Sequence, residues 1–207
     1  MSDGSFYYPQ KMGRVILLGM EEVIGINGLT GVLRLNSLED IAQHYPPANN
    51  DRTFSFESIS AIQTALELAY GPHGGRGVAL RVGRASFKYG LKEYGSMLGL
   101  TELAFRLLSL STKLRAGTKT FADLFNKHTD QKVSVEERGG KILWHIERCP
   151  VCWARKADEP VCHLAVGLLQ EALYWVSGGK VFNVEETDCI ATGSAVCTIV
   201  IDQTPIS

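Results

Sequence analysis

An α+β fold built on a mainly antiparallel sheet is predicted by three features of this 207-residue sequence. Hydrophobic spacing is helical up to about residue 128, two-fold from 132 to 148, helical again from 161 to 177, then two-fold to the end. Gly139-Gly140 and Gly193 stand where two hairpins would turn. The resulting order, several helices followed by strand–strand–helix–strand–strand, is that of helices packed on one antiparallel sheet and not of a doubly wound α/β fold. No polar linker and no internal repeat divides the chain. The expected organisation is one unit over 1–207: an extended arm at 1–12, a helical part at 13–128, and a sheet and metal-site part at 129–207.

Composition narrows the function classes. A hydrophobic share of 45% with 21% charged residues is that of a globular protein. A net charge of −1 gives no bulk attraction for nucleic acid or an anionic membrane. The N-terminal apolar run Val15–Leu18 soon meets Glu21 and Glu22, so neither a signal-peptide core nor a membrane span is expected. The chain is therefore predicted to be cytoplasmic, where thiols stay reduced and clustered cysteines serve as metal ligands or reactive thiols.

Each element has its own signal. Phe6, Tyr7, Tyr8 and Pro9 show no period and read as an arm able to lie across a partner. From Arg14 to about Leu35 apolar residues recur at helical spacing, interrupted by Gly19, Gly25, Gly28 and Gly31. Such a helix either packs backbone to backbone or breaks. A short helix after Ser37 ends in the Pro46-Pro47 loop, and Ser55 opens a stronger helix that stops at Gly71-Pro72. Gly74-Gly75-Arg76-Gly77 lacks the ending of a phosphate loop and reads as a turn into a helix over 78–89. Leu100–Leu114 and Thr118–Lys127 are amphipathic. Lys132–Arg138 and Lys141–Arg148 form the first hairpin, with Ile142, Trp144 and Ile146 on one face. Val161–Ser177 is a helix ended by Gly178-Gly179, and Val181–Asp188 with Ala195–Asp202 makes the closing hairpin.

All five cysteines, Cys149, Cys152, Cys162, Cys189 and Cys197, fall in the last sixty residues. The closing hairpin returns Cys189 towards Cys197, Cys162 begins a helix, and Glu186 adds an oxygen donor. Together these are the four ligands that tetrahedral zinc requires. A regular strand would point Glu186 and Cys189 to opposite faces, so this reading requires a bend between them. His163, Cys149 and Cys152 are substitute ligands. The alternative is that the cysteines are small buried hydrophobes.

The stretch Pro160–Leu169, with Val184-Glu185-Glu186-Thr187-Asp188-Cys189, Gly193 and Cys197, resembles the 4-vinyl reductase domain family. That family contains hydrocarbon-binding proteins, bacteriochlorophyllide vinyl reductase-associated proteins and the sensory domains of phenol- and xylene-responsive activators. The resemblance implies the ligand-binding fold of small transport-particle (TRAPP) subunits and NO-signalling domains, a homodimer and an apolar cavity. It also implies a structural zinc on Cys162, Glu186, Cys189 and Cys197. Trp144 corresponds to a ligand-anchoring Trp of the phenol sensors, whereas the matching His is missing from 100–120. Phe105, Leu108, Phe121, Phe125, Trp144, Tyr174 and Trp175 are the expected cavity residues. Burying a ligand of about ten to twenty carbons there would gain roughly 25 cal/mol per Å2 of apolar surface. The expected function is a small-molecule-binding sensory module that passes its signal to a protein partner. No catalytic residue and no nucleotide fingerprint stands out. An accessory or catalytic role in tetrapyrrole vinyl reduction, and a ligand-free assembly subunit, are the alternatives.

Overall fold

The computed structural model describes residues 5–98, 105 and 107–206. β1 (Tyr7–Pro9) runs directly into α1 (Gln10–Arg34), and the short α2 (Glu39–Gln43) leads to β2 (Arg52–Ser55). β1 pairs antiparallel with β2, so the described part of the N-terminal arm is held by its own chain and not laid on a partner. α3 (Phe56–Leu98) and α4 (Leu110–His128) follow, then β3 (Lys132–Arg138), β4 (Lys141–Arg148), α5 (His163–Ser177), β5 (Phe182–Asp188) and β6 (Cys197–Pro205). The four-stranded sheet has the order β3-β4-β6-β5 with every neighbour antiparallel. This is the predicted α+β layout.

Both readings of the glycine-rich first helix apply, at different residues. Gly25 adopts φ 70°, ψ 165° and breaks α1. Gly19 meets α3 so closely that a Cβ there would lie 2.5 Å from Ser86 Oγ. α1 is long and apolar enough in composition to cross a membrane, contrary to the expectation of no such segment. Its Met12, Ile16, Leu17, Met20, Leu29 and Leu33 are nevertheless buried, as in a core helix. Gly71, at φ 72°, ψ 168°, breaks α3 in the same way, and Pro72 opens the second arm. Helix therefore resumes at once, and Gly74–Gly77 is helical instead of a turn.

Ser55 Oγ accepts the Ser58 N–H at 3.1 Å, which caps α3 as expected. Residues 100–104 and 106 of the helix expected over 100–114 lie outside the described residues. The described helix α4 starts at Leu110 and runs unbroken past Gly117, because Ser109 Oγ accepts the Thr112 N–H at 3.3 Å and fixes the start there. Ser109→Ala should lower stability by about 1 kcal/mol, read from urea unfolding midpoints at unchanged slope.

The hairpin of β3 and β4 turns on Gly139 (φ 56°) and Gly140 (φ 76°), the two positive φ angles a two-residue turn of this hand needs. Ile142, Trp144 and Ile146 face the core beside Ile201, Ile199 and Cys197 of β6. One continuous core extends from Tyr8 to Ile201. α5 crosses α3 at bare backbone: a Cβ on Gly83 would lie 2.2 Å from Leu164 O, and one on Gly167 would lie 2.1 Å from Leu80 O.

Candidate functional site

The inner face of the sheet and the start of α5 bring the sulfurs together. Cys197 opens β6 opposite Ile146, with its side chain on the core face. Glu186 points to the same face from β5, opposite Ile199. The ladder then shifts register between Glu186 and Asp188, and this irregularity is the bend that lets Cys189 turn inwards. Cys162 precedes α5, and its backbone N–H donates to Glu186 Oε2 at 2.7 Å. The turn 149–152 brings in Cys149 and Cys152. It is held by the Arg155 N–H to Cys152 O (3.1 Å) and, farther along the loop, by the Ala157 N–H to Ala191 O (2.9 Å).

All five thiols are buried and unbridged. Sγ–Sγ distances are 3.8 Å for Cys162–Cys189, 3.8 Å for Cys162–Cys197 and 3.9 Å for Cys189–Cys197. A tetrahedral ion with Zn–S bonds of about 2.3 Å would set its sulfurs about 3.8 Å apart. Ligand atoms of Cys162, Glu186, Cys189 and Cys197 all lie within 4.8 Å of one another. Glu186 is 8% exposed, and its Oε1 has no hydrogen-bond partner. A carboxylate oxygen buried without a donor is costly, and a cation beside it removes that cost. Burial, and then the Cys189 sulfur, push the Glu186 carboxyl up to about 8 in the absence of a cation. The Cys152 thiol is pulled strongly down by the Cys149 thiol and then by the other sulfurs around it. The donor set, its spacing and the unpartnered oxygen all fit a thiophilic dication. His163 does not join the cluster. It is buried one residue further on, at the start of the helix, and burial together with Arg76 and Arg155 pushes its imidazole down to about 4.

Beside the sulfurs lies an apolar cavity of about 110 Å3. Met12, Val15 and Ile16 of α1, Phe87 and Leu91 of α3, Phe121, Leu124 and Phe125 of α4, and Trp144 and Ile146 of β4 form most of its wall. The wall is completed by Pro150 and Val151, between the two cysteines of the turn, and by Leu164, Ala165, Leu168 and Leu169 of α5. Metal-ligating side chains and cavity wall therefore share the same short segments. Among the lining polar groups, Tyr8 OH donates to Gln131 Oε1. Ser86 Oγ and Tyr94 OH have no partner among the described residues, although these residues are only 1% and 4% exposed.

Of the seven expected cavity residues, Phe121, Phe125 and Trp144 line it. The other four are corrected. Tyr174 (46% exposed) and Trp175 lie at the C-terminal end of α5 and line a separate surface cleft with Lys88, Lys92 and Glu171. Leu108 is 39% exposed just before α4, and Phe105 packs on the core outside the cavity wall. Aromatic composition marked these side chains, but the cavity sits at the other end of α5. Ser86 and Tyr94 carried no signal in the sequence, since their lack of partners follows from the crossing of α1 and α3.

Residues 144–203, from the middle of β4 to near the end of β6, match the model of the 4-vinyl reductase domain family. The C-terminal part of the chain carries a 4-vinyl reductase domain. The match takes in α5, the closing hairpin and every cysteine. No curated protein matches the chain. Among solved structures, a doubly substituted Tt H-NOX protein is 10% identical with a TM-score of 0.61, over 96% of this chain and 97% of its own. An S. oneidensis H-NOX protein in its Fe(II)NO state is 13% identical with a TM-score of 0.54, over 94% and 99%. The phenol-responsive sensory domain of the transcription activator PoxR, solved with phenol, is 19% identical with a TM-score of 0.51, over 73% and 76%. The fold that surrounds the matched segment is thus the one these sensor proteins share.

Haem, which figures in the H-NOX family, does not fit here. A cavity of about 150 Å3 accommodates one benzene, and this one is about 110 Å3. No histidine or cysteine that could serve as an axial ligand is among its described lining residues. The same volume is too small for the ligand of ten to twenty carbons expected from the sequence.

Proposed function

We propose that the chain acts as one cytoplasmic small-molecule-binding sensory unit, in which a structural zinc held by Cys162, Glu186, Cys189 and Cys197 braces one wall of an apolar cavity. The single observation carrying this reading is the shared wall: the segments that bear the sulfurs also line the cavity. A four-ligand shell leaves zinc no open position, so its contribution is rigidity and not chemistry on a substrate. The ligand that suits the site is one ring with one hydroxyl, since the walls are apolar and Tyr94 OH and Ser86 Oγ lack partners among the described residues. The binding of phenol by PoxR on a similar fold supports this class. A homodimer follows from the family likeness and is read by sedimentation.

Phenol and toluene are the probes, followed by calorimetry and by the fluorescence of Trp144, which lines the cavity. Saturable binding of phenol is expected, and it should be abolished by Ala165→Phe, which fills the space. Tyr94→Phe should weaken phenol about three- to ten-fold, the worth of one hydrogen bond, and leave toluene unchanged. Binding of neither probe, or equal binding by the Ala165→Phe variant, would remove the cavity from the account.

A further inference from the structure

The zinc reading accounts for three of the five cysteines. Cys149 and Cys152 are as deeply buried as the others, at 1% exposure each. Cys149 Sγ lies 3.4 Å from Cys162 Sγ, and Cys152 Sγ lies 3.4 Å from Cys197 Sγ. Ligand atoms of Cys149, Cys152, Cys162 and Cys197 form a second foursome within 4.8 Å of one another. The two foursomes have one edge in common, Cys162–Cys197, at 3.8 Å.

We propose that this second foursome is a metal site in its own right, and that the chain holds a two-ion cluster in which the Cys162 and Cys197 thiolates bridge both ions. Cys149 and Cys152 complete one tetrahedron, and Glu186 and Cys189 complete the other. The inference rests on the zinc reading above and extends it.

Three physical arguments favour the pair. Zinc takes four ligands, and six donors converge here, so a single ion leaves two thiols buried beside it. A thiol is a weak hydrogen-bond donor and gains little from the sulfur it faces. A thiolate pair bound to a dication is satisfied instead. Charge is the second argument. Binding the second dication to Cys149 and Cys152 releases their two thiol protons to solvent, so the buried cluster keeps the same net charge as with one ion. Third, the bridging sulfurs are already supported. Cys197 Sγ accepts the Ile190 N–H at 3.3 Å, a bond that helps a thiolate carry two ions. The second ion would also do what the first cannot. It would tie the 149–152 turn, and with it the cavity walls Pro150 and Val151, to α5 and β6.

The preferred occupant is zinc or another divalent ion that favours tetrahedral thiolate. Metal per chain is measured by native mass spectrometry and elemental analysis on wild type and on the Cys149→Ser/Cys152→Ser variant. The full chain is also loaded with cadmium-113 for NMR. The proposal expects metal content to fall by half in the double variant. It also expects two cadmium resonances in wild type, split by mutual coupling through the shared sulfurs. That coupling is read on wild type, so it decides the question even if the variant does not fold. One ion per chain, unaffected by the double substitution and lost in Cys189→Ser, would overturn the second site and leave the zinc reading intact. One ion lost in the double variant but kept in both Cys189→Ser and Glu186→Gln would overturn both readings, as would a chain that binds no metal.

Discussion

Cys189→Ser should release the ion held with Glu186 and lower folding stability by several kcal/mol. Structural zinc in small sites contributes on the order of 10 kcal/mol, and a domain has only about 5–15 kcal/mol in total. The variant is therefore expected to melt far below wild type. Cys189 is buried at the point where the irregular end of β5 turns inwards, 3.8 Å from Cys162 and 3.9 Å from Cys197. Removing its sulfur unties the closing hairpin from α5. It also leaves the Glu186 carboxylate, whose Oε1 has no other partner among the described residues, buried without a cation. Were the thiols plain hydrophobes, a buried serine hydroxyl would cost only about 1–3 kcal/mol, and a chelator would not change the melting of wild type. Thermal melts of both proteins, with and without chelator, separate the two cases: chelated wild type should lose at least as much as the variant.

Gly167→Ala should be nearly as damaging, for a reason unconnected with metal. The added methyl would lie 2.1 Å from Leu80 O and 2.9 Å from Leu80 Cα, which are backbone atoms that cannot rotate away. α5 and α3 would have to part. Overpacking of this kind costs about 1–3 kcal/mol, and more where backbone must move. A loss of about 3 kcal/mol would lower the melting temperature of a chain this long by about 10 °C. Gly83→Ala meets Leu164 O from the other side and should behave alike. Gly31→Ala, in the exposed part of α1 with nothing near its would-be Cβ, is the control and should be neutral or slightly stabilising. Equal melting of the Gly167→Ala and Gly31→Ala proteins would refute the close crossing. Because Leu164 and Leu168 flank that crossing and line the cavity, phenol binding should weaken in the Gly167→Ala variant alone.

These two sites also show what the sequence could and could not convey. The hairpin at Gly139-Gly140 was legible because a two-residue turn demands residues tolerant of positive φ between runs of period two. The helix ends at Ser55 and Gly178 were legible because capping is local chemistry. The close crossing at Gly83 and Gly167 was not, since a lone glycine in a helix has the same signature whether it faces solvent or another backbone. The break at Gly25 and the uninterrupted passage through Gly117 differ only in their tertiary neighbours. For Cys162, Glu186, Cys189 and Cys197, hairpin geometry and family likeness pointed to the same foursome. The approach of Cys149 and Cys152 to Cys162 and Cys197 depends on how the 149–162 loop folds back, and no spacing rule reports that. The cavity was least legible. Aromatic content marked Tyr174 and Trp175, whereas the wall is built largely from aliphatic residues of α1 and α5 and from the Pro150-Val151 turn.

The central claim is that thiolate-held metal keeps the cavity wall in place, and amide hydrogen exchange before and after chelation tests it most directly. The account predicts that removing metal strips protection together from 149–152 and 163–169, while the β3–β4 strands around Gly139-Gly140 remain protected. Unchanged exchange in both wall segments after complete metal removal would contradict it.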